Sequence, residues 1–201
     1  MAVGLHGKSI GSALYNSGGF VQSYSSKFNG KKTSCAITYP TSINMDSALI
    51  IFGCTFQNVP SMSSPWSLLS SSNNMNSGAG YTRCYWKKAI GNETGTLTIP
   101  FSAAIMLNIK YYTPYYVGLF NNNTLSSITL SSTIGDKVLF LYASNNVTNF
   151  TPNIGVELLD EKKNGERFSF GATLSNVSNQ SLVVTRSATS NNLCGLSIGL
   201  T

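Results

Sequence analysis

Leu97-Thr98-Ile99-Pro100-Phe101 places an apolar side chain at every second residue. Such alternation lines one face of a strand, whereas on a helix the same residues would be scattered around the axis. Phe168 and Phe170 in Arg167-Phe168-Ser169-Phe170-Gly171 obey the same rule. Outward from these two stretches, short β-branched and aromatic runs bounded by Gly, Pro, Asn and Ser clusters recur along the chain. They predict strands over 34–39, 48–56, 81–89, 95–101, 105–112, 115–120, 126–130, 137–143, 154–159, 167–173, 181–186 and 193–200. No stretch longer than about ten residues sustains a 3.6-residue apolar stripe with plausible caps, and the helix formers Glu, Lys, Arg and Gln are scarce. The chain is therefore expected to be all-β. So many short strands bury their inner faces only between facing sheets or in a closed barrel, which predicts a jelly-roll-like antiparallel β-sandwich over 31–201. Lys162-Lys163-Asn164-Gly165-Glu166 carries an Asn-Gly pair suited to a tight hairpin turn. No repeat period is visible.

Residues 1–30 differ from the rest of the chain. They are rich in Gly and Ser, with isolated apolar or aromatic residues at Leu14, Tyr15, Phe20, Val21, Tyr24 and Phe28. Such a segment buries too little by itself to fold alone, so it reads as an extended N-terminal arm. Leu14, Tyr15, Phe20, Tyr24 and Phe28 are its candidate anchors on a partner. The alternative reading is a first β-hairpin of the domain.

Charged residues make up only 10% of the chain, far below the roughly 25% of ordinary soluble domains, so the surface is built of neutral polar groups. Thirteen Lys and Arg against seven Asp and Glu leave a charge of +6. The basic residues occur as separated doublets, Lys31–Lys32, Lys87–Lys88 and Lys162–Lys163, which read as solvated lysines and argue against a nucleic-acid site. One histidine, His6, and no Gly-x-Ser-x-Gly motif leave a catalytic triad without its parts. Glu157, Asp160 and Glu161 lie near one another in sequence, but acidic residues flanking a hairpin turn are ordinary, and the chain is read as a non-enzyme. No phosphate loop, calcium loop or Cys/His metal spacing occurs, so no cofactor and no metal are expected. Cys35, Cys54, Cys84 and Cys194 each sit in or beside an apolar segment and read as small buried hydrophobes, consistent with assembly in a reducing cytoplasm. The longest apolar runs, such as 48–52 and 138–143, are too short for a membrane-spanning helix. The amino-terminal stretch lacks the apolar core of an export signal.

Tyr111-Tyr112-Thr113-Pro114-Tyr115-Tyr116 sets four tyrosines about a proline. Tyrosine joins an apolar face to a hydrogen-bonding tip, so Tyr111, Tyr112, Tyr115 and Tyr116 are candidates for contact with a glycan or a protein partner. Packing in a core or a subunit interface is the competing reading, and for Trp66, Tyr85 and Trp86 the core is favoured.

The most distinctive segment runs Asp46-Ser47-Ala48-Leu49-Ile50-Ile51-Phe52, then Val59-Pro60, then Ser64-Pro65-Trp66-Ser67-Leu68-Leu69, then Tyr85-Trp86-Lys87-Lys88-Ala89, then Glu93-Thr94-Gly95-Thr96-Leu97-Thr98-Ile99. It resembles a pattern of small all-β virion proteins of tailed bacteriophages, the capsid decoration and tail-fibre or adhesin domains. Thr185-Arg186-Ser187 and Leu193-Cys194-Gly195-Leu196-Ser197-Ile198-Gly199 are similar to the closing strand of that pattern. The chain departs from it in lacking a glycine before Trp66 and in a polar insert over 70–80. The resemblance implies a non-enzymatic virion structural protein made in the bacterial cytoplasm, most simply a capsid decoration protein anchored by its arm. Its implied partners are the major capsid protein or tail proteins and further copies of itself, trimers being common in such families. A tail-fibre or receptor-binding module contacting host-surface glycans is the alternative.

Overall fold

The computed structural model describes residues 21–29, 32–55, 59–76, 80–110, 112–122, 127–131, 137–144, 149–154, 156–162, 169–175, 181–187 and 193–201. The first half of the chain forms β1 (Val21–Phe28), β2 (Cys35–Thr38), β3 (Ala48–Thr55), β4 (Ser67–Asn76), β5 (Gly80–Lys88), β6 (Thr96–Ile99) and β7 (Ala103–Ile109). The second half forms β8 (Pro114–Asn122), β9 (Ser127–Ser131), β10 (Val138–Ser144), β11 (Phe150–Pro152), β12 (Val156–Lys162), β13 (Ser169–Ser175), β14 (Ser181–Arg186) and β15 (Leu193–Leu200). No helix occurs among the described residues, and every pairing is antiparallel.

Burial patterns say which strands lie inside. All side chains of β3, β7, β10, β13 and β15 are buried, as strands covered on both faces require; β3 and β10 read as apolar runs, whereas β13 buries Ser169, Thr173 and Ser175 as well. β2 and β14 alternate buried and less buried residues, the signature of a sheet with one face in water. Two five-stranded sheets, ordered β1-β7-β3-β5-β4 and β12-β13-β10-β15-β8, are the inner layers of a β-sandwich. Ile50, Phe52, Ile105 and Leu107 of the first meet Leu141, Phe170, Leu196 and Ile198 of the second in the central core. The Phe52 and Phe170 rings meet edge to face with centroids 5.9 Å apart, and Phe28 approaches Phe170 at 5.7 Å.

Each inner sheet is backed by a smaller outer one. β2 and β6 cover the first, packing Cys35, Ile37 and Ile99 on Leu49, Ile51 and Met106. The sheet β11-β14-β9 covers the second, packing Ile128, Leu130 and Leu182 on Val138, Phe140 and Tyr142. The sandwich thus has four layers where the sequence suggests two. Each half of the chain supplies one inner and one outer layer, and in each half the first strand pairs with the last.

Two expectations are corrected. Residues 21–28 are not arm but the edge strand β1, paired with β7 from Val21↔Ile109 to Phe28↔Ala103. Tyr24 and Phe28 pack on the central core, because an edge strand still turns one face inward. The polar insert over 70–80 is mostly strand, since β4 runs to Asn76 and pairs with β5. Although the sequence shows no repeat period, both halves wind their inner sheets in the same order. Leu14, Tyr15, Phe20 and the Asn164-Gly165 turn lie outside the described residues.

Candidate functional site

Two ion pairs stand at the C-terminal end of β5, in the first half of the chain. In β5, successive side chains turn to opposite faces, so the doublet Lys87–Lys88 is split. Lys88 points to water and meets Asp46 at 2.8 Å with both side chains more than half exposed. Lys87 points inward: its side chain is 8% exposed, its Nζ donates to Glu93 Oε1 at 2.8 Å, and Glu93 itself is 4% exposed. Nζ also stands 5.6 Å from the centroids of both the Tyr39 and Trp66 rings. Two aromatic faces and one carboxylate replace the water that a buried ammonium loses.

Glu93 does more than neutralise. Its Oε1 accepts the Ile90 N–H and its Oε2 the Gly91 N–H, both at 3.0 Å, closing the loop between β5 and β6. Gly91 sits at φ 85°, and a Cβ there would come within 3.0 Å of the Met45 backbone nitrogen. The turn therefore demands glycine. Burial pushes the Glu93 carboxyl up, but the Lys87 ammonium and the backbone donors outweigh it, and the net shift is below the ordinary carboxylate value. Close by, Arg83 Nη1 and Tyr85 Oη both donate to the Pro60 carbonyl, at 2.8 and 2.9 Å. This arrangement is a clamp: every polar atom named is spent on a neighbour that holds a loop.

The tyrosine candidates do not converge. Tyr111 lies outside the described residues. Tyr112 packs against the central core and accepts a hydrogen bond from Lys137 Nζ at 2.8 Å. Tyr115 and Tyr116 are neighbours in β8 and face opposite ways. The Tyr115 ring lies over Gly199, its cross-strand partner, so closely that a Cβ on Gly199 would fall 2.0 Å from the ring. Tyr116 is 49% exposed, the one described member of the group that presents its ring to water.

All four cysteines are free and buried. Burial raises the thiols of Cys35 and Cys194 to about 11 and pushes Cys54 and Cys84 up as well. Cys54 and Cys194 share the Thr82 hydroxyl, at 3.7 and 3.4 Å, across the central core. Thiols so protonated and enclosed are packing groups. Among the described residues no cluster of three His, Cys, Asp or Glu side chains is placed to hold a metal ion.

Sequence reasoning missed the Lys87–Glu93 clamp, treating Lys87 as a solvated lysine. The signal was available: Tyr85 and Lys87 share a strand face, so a buried Tyr85 implies a buried Lys87. No protein-family model, curated protein or solved structure matches the chain.

Proposed function

We propose that the chain is a non-enzymatic structural protein of a tailed-bacteriophage virion, acting as a decoration protein on the capsid. The observation that carries this reading is how the charged groups are used. In a chain this poor in charge, the buried ion pair Lys87–Glu93 locks a loop instead of facing a substrate. A layered all-β body with a neutral polar exterior suits a coat component, which must pack beside many copies without strong mutual attraction or repulsion. The resemblance of 46–99 to virion β-domains supports the same reading. In it the proposed arm shrinks to residues 1–20, with Leu14, Tyr15 and Phe20 as anchors on the major capsid protein, and the protein assembles with copies of itself.

The test is to localise the protein on purified particles by immunogold labelling while counting copies by quantitative mass spectrometry. Hundreds of copies over the head are expected; about a dozen at the tail would replace this reading with host attachment. Removing residues 1–20 is expected to abolish particle association and leave the fold intact, because β1 begins at Val21. Full binding by that truncated chain would end the anchoring role. The tail-fibre reading rests on Tyr116, the one described tyrosine of the group with a free ring face.

A further inference from the structure

The two inner sheets have the same winding, and the correspondence extends to single residues. In order from the first strand of each half, the sheets read β1-β7-β3-β5-β4 and β8-β15-β10-β13-β12. Omitting the short β11, these are the first, last, third, fifth and fourth strands in both. The outer pairs β2-β6 and β9-β14 are likewise the second and sixth.

Register sharpens this. Leu49 pairs with Lys87 on one side and Asn108 on the other; Val138 pairs with Ser175 and Gly199. Aligning Leu49 with Val138 brings Ile50, Phe52 and Cys54 onto Leu139, Leu141 and Ala143, all facing the central core. The neighbouring strands agree: Cys84 of β5 falls on Ala172 of β13, and Leu107 of β7 on Ile198 of β15, again core on core. An irregularity recurs too. The ladder β4–β5 skips one residue between Leu68 and Ser70, and β12–β13 skips one between Glu157 and Leu159, at corresponding positions. Bulges re-aim a strand at a defined point and are kept within families, so a shared bulge marks common design. The corresponding residues stand about 90 residues apart, well beyond the 20–50-residue periods of solenoids and propellers.

The halves also face each other as a symmetric pair would. β4 runs alongside β8, the counterpart of β1. At the other edge, Phe28 of β1 touches Phe170 of β13, the neighbour of β12, which is the counterpart of β4. The sheets therefore stack with β8 at the β4 edge and β1 at the β13 edge, the reversed order that a two-fold axis gives, with the β4–β8 edge the closer of the two. A simple translation would set like strands beside like.

We infer that the chain is two copies of one folding unit, 21–109 and 114–200, fused end to end and joined through the sheet face on which two separate copies would dimerise. The shared face is an isologous interface with its second copy supplied in the same chain. Divergence has made the copies complementary instead of identical: Phe170 fills space opposite Phe52, while the residue corresponding to Phe170 is the smaller Thr82.

Only one connection is then dispensable. Residues 110–113 join complete units, whereas every other connection lies within one. The test is a set of three circular permutants that keep all 201 residues, with Thr201 joined directly to Met1. Residues 1–20 then bridge the units, and their reach of roughly 3.3 Å per residue is ample. New ends between Tyr111 and Tyr112 are expected to retain native near-UV circular dichroism and a thermal midpoint within about 5 °C of the parent. New ends at 57 or at 165, each inside a unit, are expected to lower the midpoint by more than about 10 °C or to prevent folding. Failure of the first permutant to fold overturns the inference, and so does a first permutant no more stable than the other two.

Discussion

The first unit makes do with a two-stranded outer sheet where the second has three strands. In the second, β11 completes the layer by pairing Phe150, Thr151 and Pro152 with Arg186, Thr185 and Val184. The corresponding positions of the first unit are Phe101, Pro100 and Ile99, and a proline in the middle offers no N–H to a third strand. Residues 59–66, which follow β3 in the chain as β11 follows β10, form no strand. They are held by side chains instead: Pro60 accepts from Arg83 and Tyr85, Met62 packs on the apolar cluster, and Trp66 caps the buried Lys87. One winding therefore tolerates two ways of closing its outer face, by a backbone ladder or by a polar clamp.

The largest effect should come where the units meet. Phe170→Ala is expected to cost about 3–5 kcal/mol in denaturant unfolding, since the ring touches both Phe28 and Phe52. Thr82→Ala, at the corresponding position, should cost about 1 kcal/mol, the worth of its hydroxyl contacts to Cys54 and Cys194. Equal losses would break the asymmetry argued for the shared core.

Next comes the Lys87–Glu93 pair of the clamp. Glu93→Gln leaves the Lys87 ammonium buried without its counter-charge and is expected to cost about 3 kcal/mol. Asp46→Asn, which unpairs exposed Lys88, should stay within about 0.5 kcal/mol. The folded Glu93 carboxyl titrates below its unfolded value, so its contribution is complete above the unfolded carboxylate range, about 4.3, and is lost as pH falls from there through the folded value. Unfolding free energy of the parent should fall over that window, and that of Glu93→Gln should fall less. Parallel pH profiles would remove the clamp from the account.

A smaller contrast concerns glycines. Tyr142 and Gly171 pair across β10 and β13, and the corresponding pair in the first unit, Gly53 and Arg83, has its glycine on the other strand. A Cβ on Gly171 would lie 1.9 Å from the Tyr142 ring, so Gly171→Ala should cost about 2 kcal/mol. Gly118→Ala, with nothing within 4 Å, should stay within about 0.5 kcal/mol.

The elements hidden from sequence reasoning share a physical cause. All twelve expected strands are present, while β4 and β11 are strands that the pattern does not announce and β1 answers to the alternative reading of 1–30 as a first hairpin; all three are edge strands. An edge strand can be polar, as Ser70 to Asn76 of β4 is, because its neighbours and not its own apolar pattern hold it in place. Two strands buried on both faces are plain from their apolar runs, 48–52 in β3 and 138–143 in β10. The duplication leaves no trace in composition because corresponding positions keep direction and volume jointly with their partners, as Gly53 opposite Arg83 and Tyr142 opposite Gly171 illustrate. The burial of Lys87 follows from its sharing a strand face with Tyr85, but its partners Tyr39, Trp66 and Glu93 reach it from three other segments and are hidden from the local pattern.

The most direct measurement is a crystal structure of the full chain, with one unit then superposed on the other. With Leu49 placed on Val138, Lys87 on Ser175 and Asn108 on Gly199, one rotation of about 180° should carry the first unit onto the second and the second back onto the first. Separate rotations for these three strand pairs, or a slip of one residue among β3/β10, β5/β13 and β7/β15, would contradict the two-unit account.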